Sequence, residues 1–337
     1  MKMLAAHVSA ARAEFELLER DVPEPRLGCV RIKVEACGVC HSDSFTKEGQ
    51  IPGLAFPRVP GHEVVGVIDK LGSGVVGWEP GERVGVGWFG GSCHRCDPCR
   101  RGRMINCIRL ETPGVTYDGG YAEFMVAPVD ALARVPDGLA SADAAPLLCA
   151  GVTTFNALRN SGASPGDLVA IHGIGGLGHL GIQFSRQFGF RTAAIGRGGD
   201  KQTLALQLGA HYYLDSDGES VAERLRELGG AKAVIATGPS GKAISDLVDG
   251  LTPDGKVVVI AIPSDPLTLT AMQMLSGRSV SGWSSGTSID SEDTLRFAAL
   301  SGLRAMIEMF PLAEVRQAYE RMMTGKVRFR AVLTMGR

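Results

Sequence analysis

The stretch Gly173-Ile174-Gly175-Gly176-Leu177-Gly178 directly follows an apolar run, Leu168–His172, and opens a segment with a helical pattern. A GxGxxG turn between a buried strand and a helix lets a pyrophosphate approach the backbone and lie at the helix N-terminus. The stretch therefore predicts a dinucleotide-binding unit. His172 and His179 flank the turn, and we expect them to pack or to lie on a helix face.

The sequence around this turn predicts two domains of different construction. Strands are expected at 192–195, 232–237 and 256–262 with helices between them, which favours a parallel, doubly wound sheet. Before residue 151, short β-branched runs alternate with glycine and proline turns, a pattern typical of a β-rich domain. We therefore expect an α/β fold, with a β-rich domain over residues 1–150 and the sheet domain following it.

Composition narrows the class of protein. The chain has 337 residues and a formal net charge of −1, which argues against nucleic acid or an acidic membrane as a partner. The chain has 45% hydrophobic and 21% charged residues, a composition typical of a globular protein. Its sequence contains no apolar run long enough to span a membrane. The first residues lack an export pattern, so we expect a cytoplasmic protein.

The cysteine spacing predicts a metal site. Cys93, Cys96, Cys99 and Cys107 lie within one short loop. Four thiolates at this spacing suit a closed, tetrahedral structural zinc site, and an iron–sulfur cluster is the alternative that also takes four cysteines. Free thiols are the remaining alternative. We expect zinc.

A second, dispersed set of ligand types suggests another metal. Cys40, His62 and Cys149 supply two thiolates and an imidazole, which leaves a fourth position open, as in catalytic zinc sites. Asp43 is placed to orient the ring of His62. Taken singly, each of these residues carries little information, because a lone buried cysteine is usually a small hydrophobic residue.

The order and spacing of these motifs resemble the zinc-dependent medium-chain alcohol dehydrogenases. The segments that carry the resemblance are Gly38-Val39-Cys40-His41-Ser42-Asp43, Gly61-His62-Glu63, the four-cysteine loop, Leu148-Cys149-Ala150-Gly151 and the glycine turn. The resemblance implies a GroES-like catalytic domain over residues 1–150, completed by residues 287–337, and a Rossmann cofactor domain over residues 151–286.

The same resemblance implies roles for individual residues. Cys40, His62 and Cys149 would bind a catalytic zinc, with Glu63 as a transient ligand, and the four-cysteine loop would bind a structural zinc, giving two zinc ions per chain. His41 would contact the cofactor pyrophosphate, and Thr153 and Arg330 would also contact the cofactor.

The expected chemistry is hydride transfer between an alcohol and a nicotinamide cofactor. Zinc lowers the pKa of an alcohol, and the cofactor takes the hydride. Ser42, two residues after Cys40, is placed to accept the alcohol proton. Many relatives end the proton relay with a histidine where this chain has Phe45, which leaves cofactor ribose and solvent for that step.

Cofactor choice depends on the end of the second strand of the sheet domain. An NAD enzyme places an acidic residue there for the ribose 2′-hydroxyl. This chain has Gly196 followed by Arg197, with Lys201 nearby, and a guanidinium suits a 2′-phosphate. We expect NADP to be favoured; stacking of Arg197 on the adenine of NAD is the alternative.

The substrate is less closely defined. Trp88 and Phe89 match positions that line the substrate channel in relatives, and Ile51 stands where some ethanol-preferring relatives carry a large aromatic residue, which should widen the pocket. These residues indicate a roomy apolar pocket for medium-length or aromatic primary alcohols and their aldehydes. A formaldehyde- or polyol-type dehydrogenase and a non-catalytic protein that binds zinc and nucleotide are the alternatives. A homodimer or homotetramer is expected from the resemblance.

Overall fold

The computed structural model describes residues 1–336, which divide into two units. The first unit comprises Met1–Val152 and the segment from Ser285 onward, and the second comprises Thr153–Ser284. Within the described residues, no helix has the length and apolar character needed to cross a membrane.

Short strands and helices make up both units. The strands are, in chain order, β1 (Lys2–Val8), β2 (Phe15–Asp21), β3 (Cys29–Val39), β4 (Val64–Leu71), β5 (Arg83–Val86), β6 (Phe124–Pro128), β7 (Leu132–Arg134), β8 (Leu168–His172), β9 (Arg191–Gly196), β10 (Tyr212–Asp215), β11 (Ala231–Ala236), β12 (Leu251–Val259), β13 (Ser279–Gly282), β14 (Ile307–Pro311) and β15 (Arg330–Thr334). The α-helices are α1 (Asp43–Lys47), α2 (Asp97–Arg100), α3 (Ser141–Ala144), α4 (Ala150–Arg159), α5 (Gly178–Gln187), α6 (Gln202–Gln207), α7 (Val221–Glu227), α8 (Gly241–Asp246), α9 (Ala271–Met274), α10 (Ser288–Ser301) and α11 (Val315–Met323). Single 3₁₀ turns cover Met104–Asn106, Val129–Ala131, Ala145–Leu148, Leu247–Gly250 and Leu312–Glu314.

The first unit is organised around the long strand β3. Its sheet has the order β14-β15-β3-β4-β5-β7, and β6 also pairs with β3. Only β14 and β15 run parallel; the other neighbours are antiparallel. Lys33 and Glu35 of β3 are exposed, whereas the residues from Ala36 to Val39 are all buried. This buried end of β3 leads directly to Cys40.

The second unit is a parallel sheet of six strands in the order β10-β9-β8-β11-β12-β13. Ala170 in β8 pairs with Ala193 in β9 on one side and with Val234 in β11 on the other. β9 and β10 therefore lie on one side of β8, and the next strand in the chain, β11, pairs with the other side of β8. The strand order thus changes direction at β8, which makes the carboxyl end of this strand a topological switch point. Ligands of open parallel sheets bind at this place.

The expected α/β fold with a parallel, doubly wound sheet is confirmed. β8 has the predicted bounds. The N-terminal segment forms the hairpin of β1 and β2. The sequence pattern does not predict β10, because a four-residue edge strand of mixed polarity carries little periodic signal.

Candidate active site and metal centres

Four potential ligands gather at one end of the first-unit sheet. Cys40 follows β3, His62 and Glu63 precede β4, and Cys149 follows the 3₁₀ turn at Ala145–Leu148. Because β3 and β4 are antiparallel neighbours, the end of the first lies beside the start of the second. One ligand atom from each of these four residues lies within 4.8 Å of the other three, and all but Cys149 are buried.

Asp43 holds the ring of His62. Its Oδ1 lies 2.9 Å from His62 Nδ1, while its Oδ2 accepts 2.8 Å hydrogen bonds from the Cys40 backbone N–H and from the Tyr121 hydroxyl. Burial lowers the pKa of His62, but the charge and the hydrogen bond of Asp43 raise that pKa well above its usual value. His62 Nε2 is buried and has no hydrogen-bond partner among residues 1–336. This nitrogen is thus the ring atom available to a metal.

The two thiols of the cluster are hydrogen-bonded to each other. Cys40 Sγ and Cys149 Sγ are 3.8 Å apart. The hydrogen bond from Cys149 lowers the pKa of Cys40 well below its usual value, and the same contact raises the pKa of Cys149. Two neighbouring sulfur atoms beside an unpartnered imidazole nitrogen are a donor set that suits Zn²⁺.

Glu63 forms a buried ion pair with Arg330 of β15. Arg330 Nη2 donates to Glu63 Oε1, and Glu63 and Arg330 are 0% and 6% exposed. Burial raises the pKa of Glu63 to about 8, although the charge of Arg330 opposes that rise. A β-carbon on Gly38 would lie 1.8 Å from Glu63 Oε2. A glycine in β3 is therefore required for Glu63 to reach this position.

The four-cysteine loop forms the second cluster. The ligand atoms of Cys93, Cys96, Cys99 and Cys107 all lie within 4.8 Å of one another. Backbone N–H donors, first that of Arg95 and then that of Cys96, lower the pKa of Cys93 to about 6, which favours its thiolate. Four sulfur donors in a closed group suit a tetrahedral structural zinc.

His94, inside the same loop, lies outside the ligand group. Its Nε2 contacts Asp130 Oδ2, and its backbone has φ of +55°. The four sulfur atoms thus form a complete tetrahedral donor set without His94.

The glycine turn of the second unit opens α5 in close contact with β8. Gly173 has φ of +93°, and a β-carbon on Gly178 would lie 1.8 Å from the Gly173 carbonyl oxygen. A β-carbon on Gly175 would meet nothing within 4 Å. The turn is therefore tightly packed at Gly178 and open at Gly175, where a ligand has room to approach the backbone.

The end of β9 carries the residues predicted to select the cofactor. Gly196 is the last residue of β9, and the exposed side chain of Arg197 makes no hydrogen bond or ion pair within residues 1–336. Lys201 Nζ donates to the Ile174 carbonyl at 2.8 Å. Lys201 is therefore tied to the glycine turn, whereas the guanidinium of Arg197 is available to a ligand.

A cavity of about 450 Å³ lies at the carboxyl ends of β8 and β9. His172, Ile195 and Ser216 line it, together with residues of α7 and α8. Burial lowers the pKa of His172, and its Nδ1 is buried with no hydrogen-bond partner among residues 1–336. The sequence predicts only a packing role for His172, although its place at the end of a parallel strand is a signal for ligand contact.

The remaining predicted site residues are divided between the units. Ser42 Oγ lies 3.5 Å from Cys40 Sγ, and the ring of Trp88 stands edge-on to that of His62 at 4.9 Å. Exposed His41 and buried Arg330 belong to the first unit, whereas buried Thr153 belongs to the second. Tyr121, which donates to Asp43, is a site residue that the sequence gives no signal for.

Comparison with known proteins gives consistent matches along the chain. The alcohol dehydrogenase GroES-like domain family matches residues 27–137, and the zinc-binding dehydrogenase family matches residues 176–300. The chain is 42% identical over 311 residues to alcohol dehydrogenase patD of Penicillium expansum, covering 92% of this chain and 91% of that protein. It is 36% identical over 334 residues to an alcohol dehydrogenase of Geobacillus stearothermophilus, covering 98% and 99%.

A solved structure shows the same fold over the whole length. The cinnamyl alcohol dehydrogenase SbCAD4 from Sorghum bicolor superposes with a TM-score of 0.89 at 32% identity, covering 99% of this chain and 98% of that one.

Proposed function

This chain belongs to the zinc-dependent medium-chain alcohol dehydrogenases, and from that membership we propose that it interconverts medium-length or aromatic primary alcohols and their aldehydes with NADP as preferred cofactor. The observation that carries the proposal is the cluster of Cys40, His62, Glu63 and Cys149. The cluster contains two thiols and the His62 Nε2 atom, which has no hydrogen-bond partner among residues 1–336. Its carboxylate, Glu63, is hydrogen-bonded to Arg330.

The two donor sets support two zinc ions per chain. Cys40, His62 and Cys149 would hold the catalytic ion with Glu63 beside it, and Cys93, Cys96, Cys99 and Cys107 would hold the structural ion. A zinc ion at the first site supplies a Lewis acid for the alcohol oxygen, and a bound nicotinamide accepts the hydride.

The side chains around the first site have separate tasks. Asp43 keeps the Nδ1 proton of His62 in place, so that Nε2 stays a ligand. The ion pair with Arg330 restrains Glu63 and keeps this carboxylate from being a permanent ligand. Ser42 Oγ, 3.5 Å from Cys40 Sγ, would accept the proton of the alcohol, and Phe45 offers no side-chain acceptor to pass that proton on.

The second unit supplies the cofactor contacts. The pyrophosphate would lie on the glycine turn, with Gly173, Gly175, Gly176, Leu177 and Gly178 forming its backbone cradle. The cavity lined by His172 and Ile195 has room for the adenosine half. Thr153 and Lys201 complete the proposed cofactor residues of this unit. His41 and Arg330 of the first unit stay predictions from the family resemblance.

Preference for NADP follows from the end of β9. Gly196 offers no carboxylate to a ribose 2′-hydroxyl, and the guanidinium of Arg197 has no partner among residues 1–336. A charge-assisted contact of this kind with a phosphate is worth about 10- to 100-fold in affinity.

An aromatic or medium-length substrate fits the apolar side chains near His62. Trp88 packs against the His62 ring, and Phe89 next to it is buried. A solved structure with 32% sequence identity over nearly the whole chain is named a cinnamyl alcohol dehydrogenase. Cinnamyl alcohol is an aromatic allylic alcohol. This likeness supports the same substrate class here.

Initial rates with the zinc-loaded enzyme test the proposal. A panel of ethanol, hexanol, benzyl alcohol, cinnamyl alcohol, sorbitol and the matching aldehydes is assayed with NADP and with NAD. We expect the highest kcat/KM for the aromatic and six-carbon substrates, with NADP about 10- to 100-fold better than NAD. The Cys149→Ala variant, purified in parallel, controls for contaminating dehydrogenases. A higher kcat/KM with NAD, or with sorbitol, contradicts the corresponding part of the proposal.

A further inference from the structure

The loop after β9 is fixed by two side chains of the neighbouring strand β10. Tyr213 Oη donates to the Gly198 carbonyl, and Asp215 Oδ1 accepts from the Gly198 backbone N–H at 2.7 Å. Gly198 has φ of +63°, a conformation that favours glycine. Both backbone groups of the residue after Arg197 are therefore held by β10.

Tyr213 also closes the space beside Gly196. The two strands are parallel with Asp215 opposite Gly196. A β-carbon on Gly196 would lie 2.6 Å from Tyr213 Oη and 3.3 Å from its Cε2. Any side chain at position 196 would thus displace the hydroxyl of Tyr213 and break its hydrogen bond to Gly198.

The Tyr213 hydroxyl is a dependable donor. Burial, and after it the charge of Asp215, raise the pKa of Tyr213, so that the phenol stays protonated at neutral pH. Tyr213 thus restrains the loop through a hydrogen bond from its neutral hydroxyl to the Gly198 carbonyl. The Tyr213→Phe substitution removes this hydroxyl and keeps the shape of the ring.

From this geometry we propose that Tyr213 and Asp215 are positioning residues for recognition of the adenosine 2′-phosphate. They hold Gly198 and, through it, the neighbouring Arg197, while Tyr213 occupies the space that an acidic side chain at position 196 would need. The inference rests on the proposed preference for NADP. It adds that an aspartate at Gly196 alone cannot convert the enzyme to NAD, because Tyr213 must give way as well.

A stability cycle tests the packing without any cofactor. Gly196→Ala, Tyr213→Phe and the double variant are compared with the wild-type enzyme by thermal unfolding. We expect Gly196→Ala to lower Tm by a few degrees in the wild-type background. In the Tyr213→Phe background the loss of Tm should be clearly smaller, because the 2.6 Å contact with Tyr213 Oη is gone while the 3.3 Å contacts with Tyr213 Cε2 and Ile174 Cδ1 remain. Equal changes of Tm in both backgrounds would overturn the packing claim.

Calorimetric titration with two probes tests the selectivity. Adenosine 2′,5′-bisphosphate and 5′-AMP differ only in the 2′-phosphate. We expect Tyr213→Phe to weaken binding of the bisphosphate about 3- to 10-fold and to leave 5′-AMP nearly unchanged. Asp215→Ala should act similarly, whereas Asp215→Asn keeps an acceptor oxygen and should bind the bisphosphate at least as tightly as the wild type.

Coupling to Arg197 separates positioning from general damage. In the Arg197→Ala background, Tyr213→Phe should have almost no further effect on the bisphosphate. An equal loss for both probes, or a full loss in the Arg197→Ala background, overturns the positioning role and leaves the NADP preference intact. A wild-type enzyme that binds the two probes equally contradicts the NADP preference itself, and the inference falls with it.

Discussion

Asp43 Oδ1 lies 2.9 Å from His62 Nδ1, and the other oxygen of the same carboxylate accepts from Cys40 and Tyr121. One buried carboxylate thus connects the loop after β3 with the segments that precede β4 and β6. Two of the proposed zinc ligands, Cys40 and His62, depend on it for their positions.

The first prediction concerns this carboxylate. Asp43→Asn should weaken retention of the catalytic zinc about 10- to 100-fold, because the His62 ring loses its charged acceptor. The measurement is zinc per chain after titration with a chelator. Tyr121→Phe is the matched control, since it removes a single neutral hydrogen bond from Asp43 and should change zinc retention less. If the chelator titration curves of Asp43→Asn and the wild type coincide, Asp43 does not stabilise His62 as a zinc ligand.

The second prediction separates the two metal sites. We expect two zinc ions per wild-type chain by elemental analysis. Cys149→Ala should retain one zinc and the wild-type thermal stability but lose turnover, whereas Cys99→Ser should retain one zinc and unfold at lower temperature. Unchanged turnover in Cys149→Ala, or iron in place of zinc, would be incompatible with the proposed sites.

The third prediction compares two glycines of one turn. Gly178→Ala should strongly reduce folding or Tm, because its β-carbon would lie 1.8 Å from the Gly173 carbonyl oxygen. Gly175→Ala has open space and should fold normally, but its methyl group would obstruct the pyrophosphate and weaken nucleotide binding. Thermal unfolding and titration with ADP-ribose, which contains the pyrophosphate, measure the two effects. The same phenotype from both substitutions would refute the distinction.

The fourth prediction concerns pH. Burial lowers the pKa of His172 below its ordinary value of 6.5, so the unfolded chain binds this proton more readily than the folded one. Its contribution to stability is therefore complete above about pH 6.5 and is lost as the pH falls below that value. The His172→Gln substitution removes this pH-dependent contribution. When the pH is lowered from 7.5 to 5.5, the Tm of the wild type should therefore fall further than the Tm of the variant. Parallel losses would show that His172 does not titrate in this way.

Patterns within short stretches of sequence were sufficient to predict the glycine turn and the four-cysteine loop. The glycine turn with its preceding strand, and the regular spacing of Cys93, Cys96 and Cys99, are signals that lie within a few residues. The structure has β8 directly before the turn and the cysteine sulfur atoms within 4.8 Å of one another. Cys40, His62 and Cys149 are harder to connect from the residues alone. The pairing of β3 with β4 brings Cys40 beside His62, and Cys149 joins them from a segment 109 residues after Cys40.

Side-chain contacts between distant segments could not be predicted from the pattern. The pairing of Arg330 with Glu63, and the hydrogen bond from Tyr121 to Asp43, depend on which strands become neighbours. Tyr213 belongs to β10, a short edge strand that has no clear periodicity, so its position beside Gly196 is visible only in three dimensions. The contact of Lys201 with the Ile174 carbonyl likewise ties that charge to the glycine turn.

The position of β15 has a consequence for biosynthesis. Ala331 pairs with Val39, about 300 residues away, so the complete second unit is translated between the two halves of this strand pair. At the usual rate of synthesis β3 would wait roughly 15 to 60 s for its neighbour. During that time one edge of the nascent sheet is open to wrong pairing. Since Arg330 arrives on the same strand, Glu63 lacks its Arg330 partner in the nascent chain. A newly made active site therefore stays incomplete until the ribosome has passed β15.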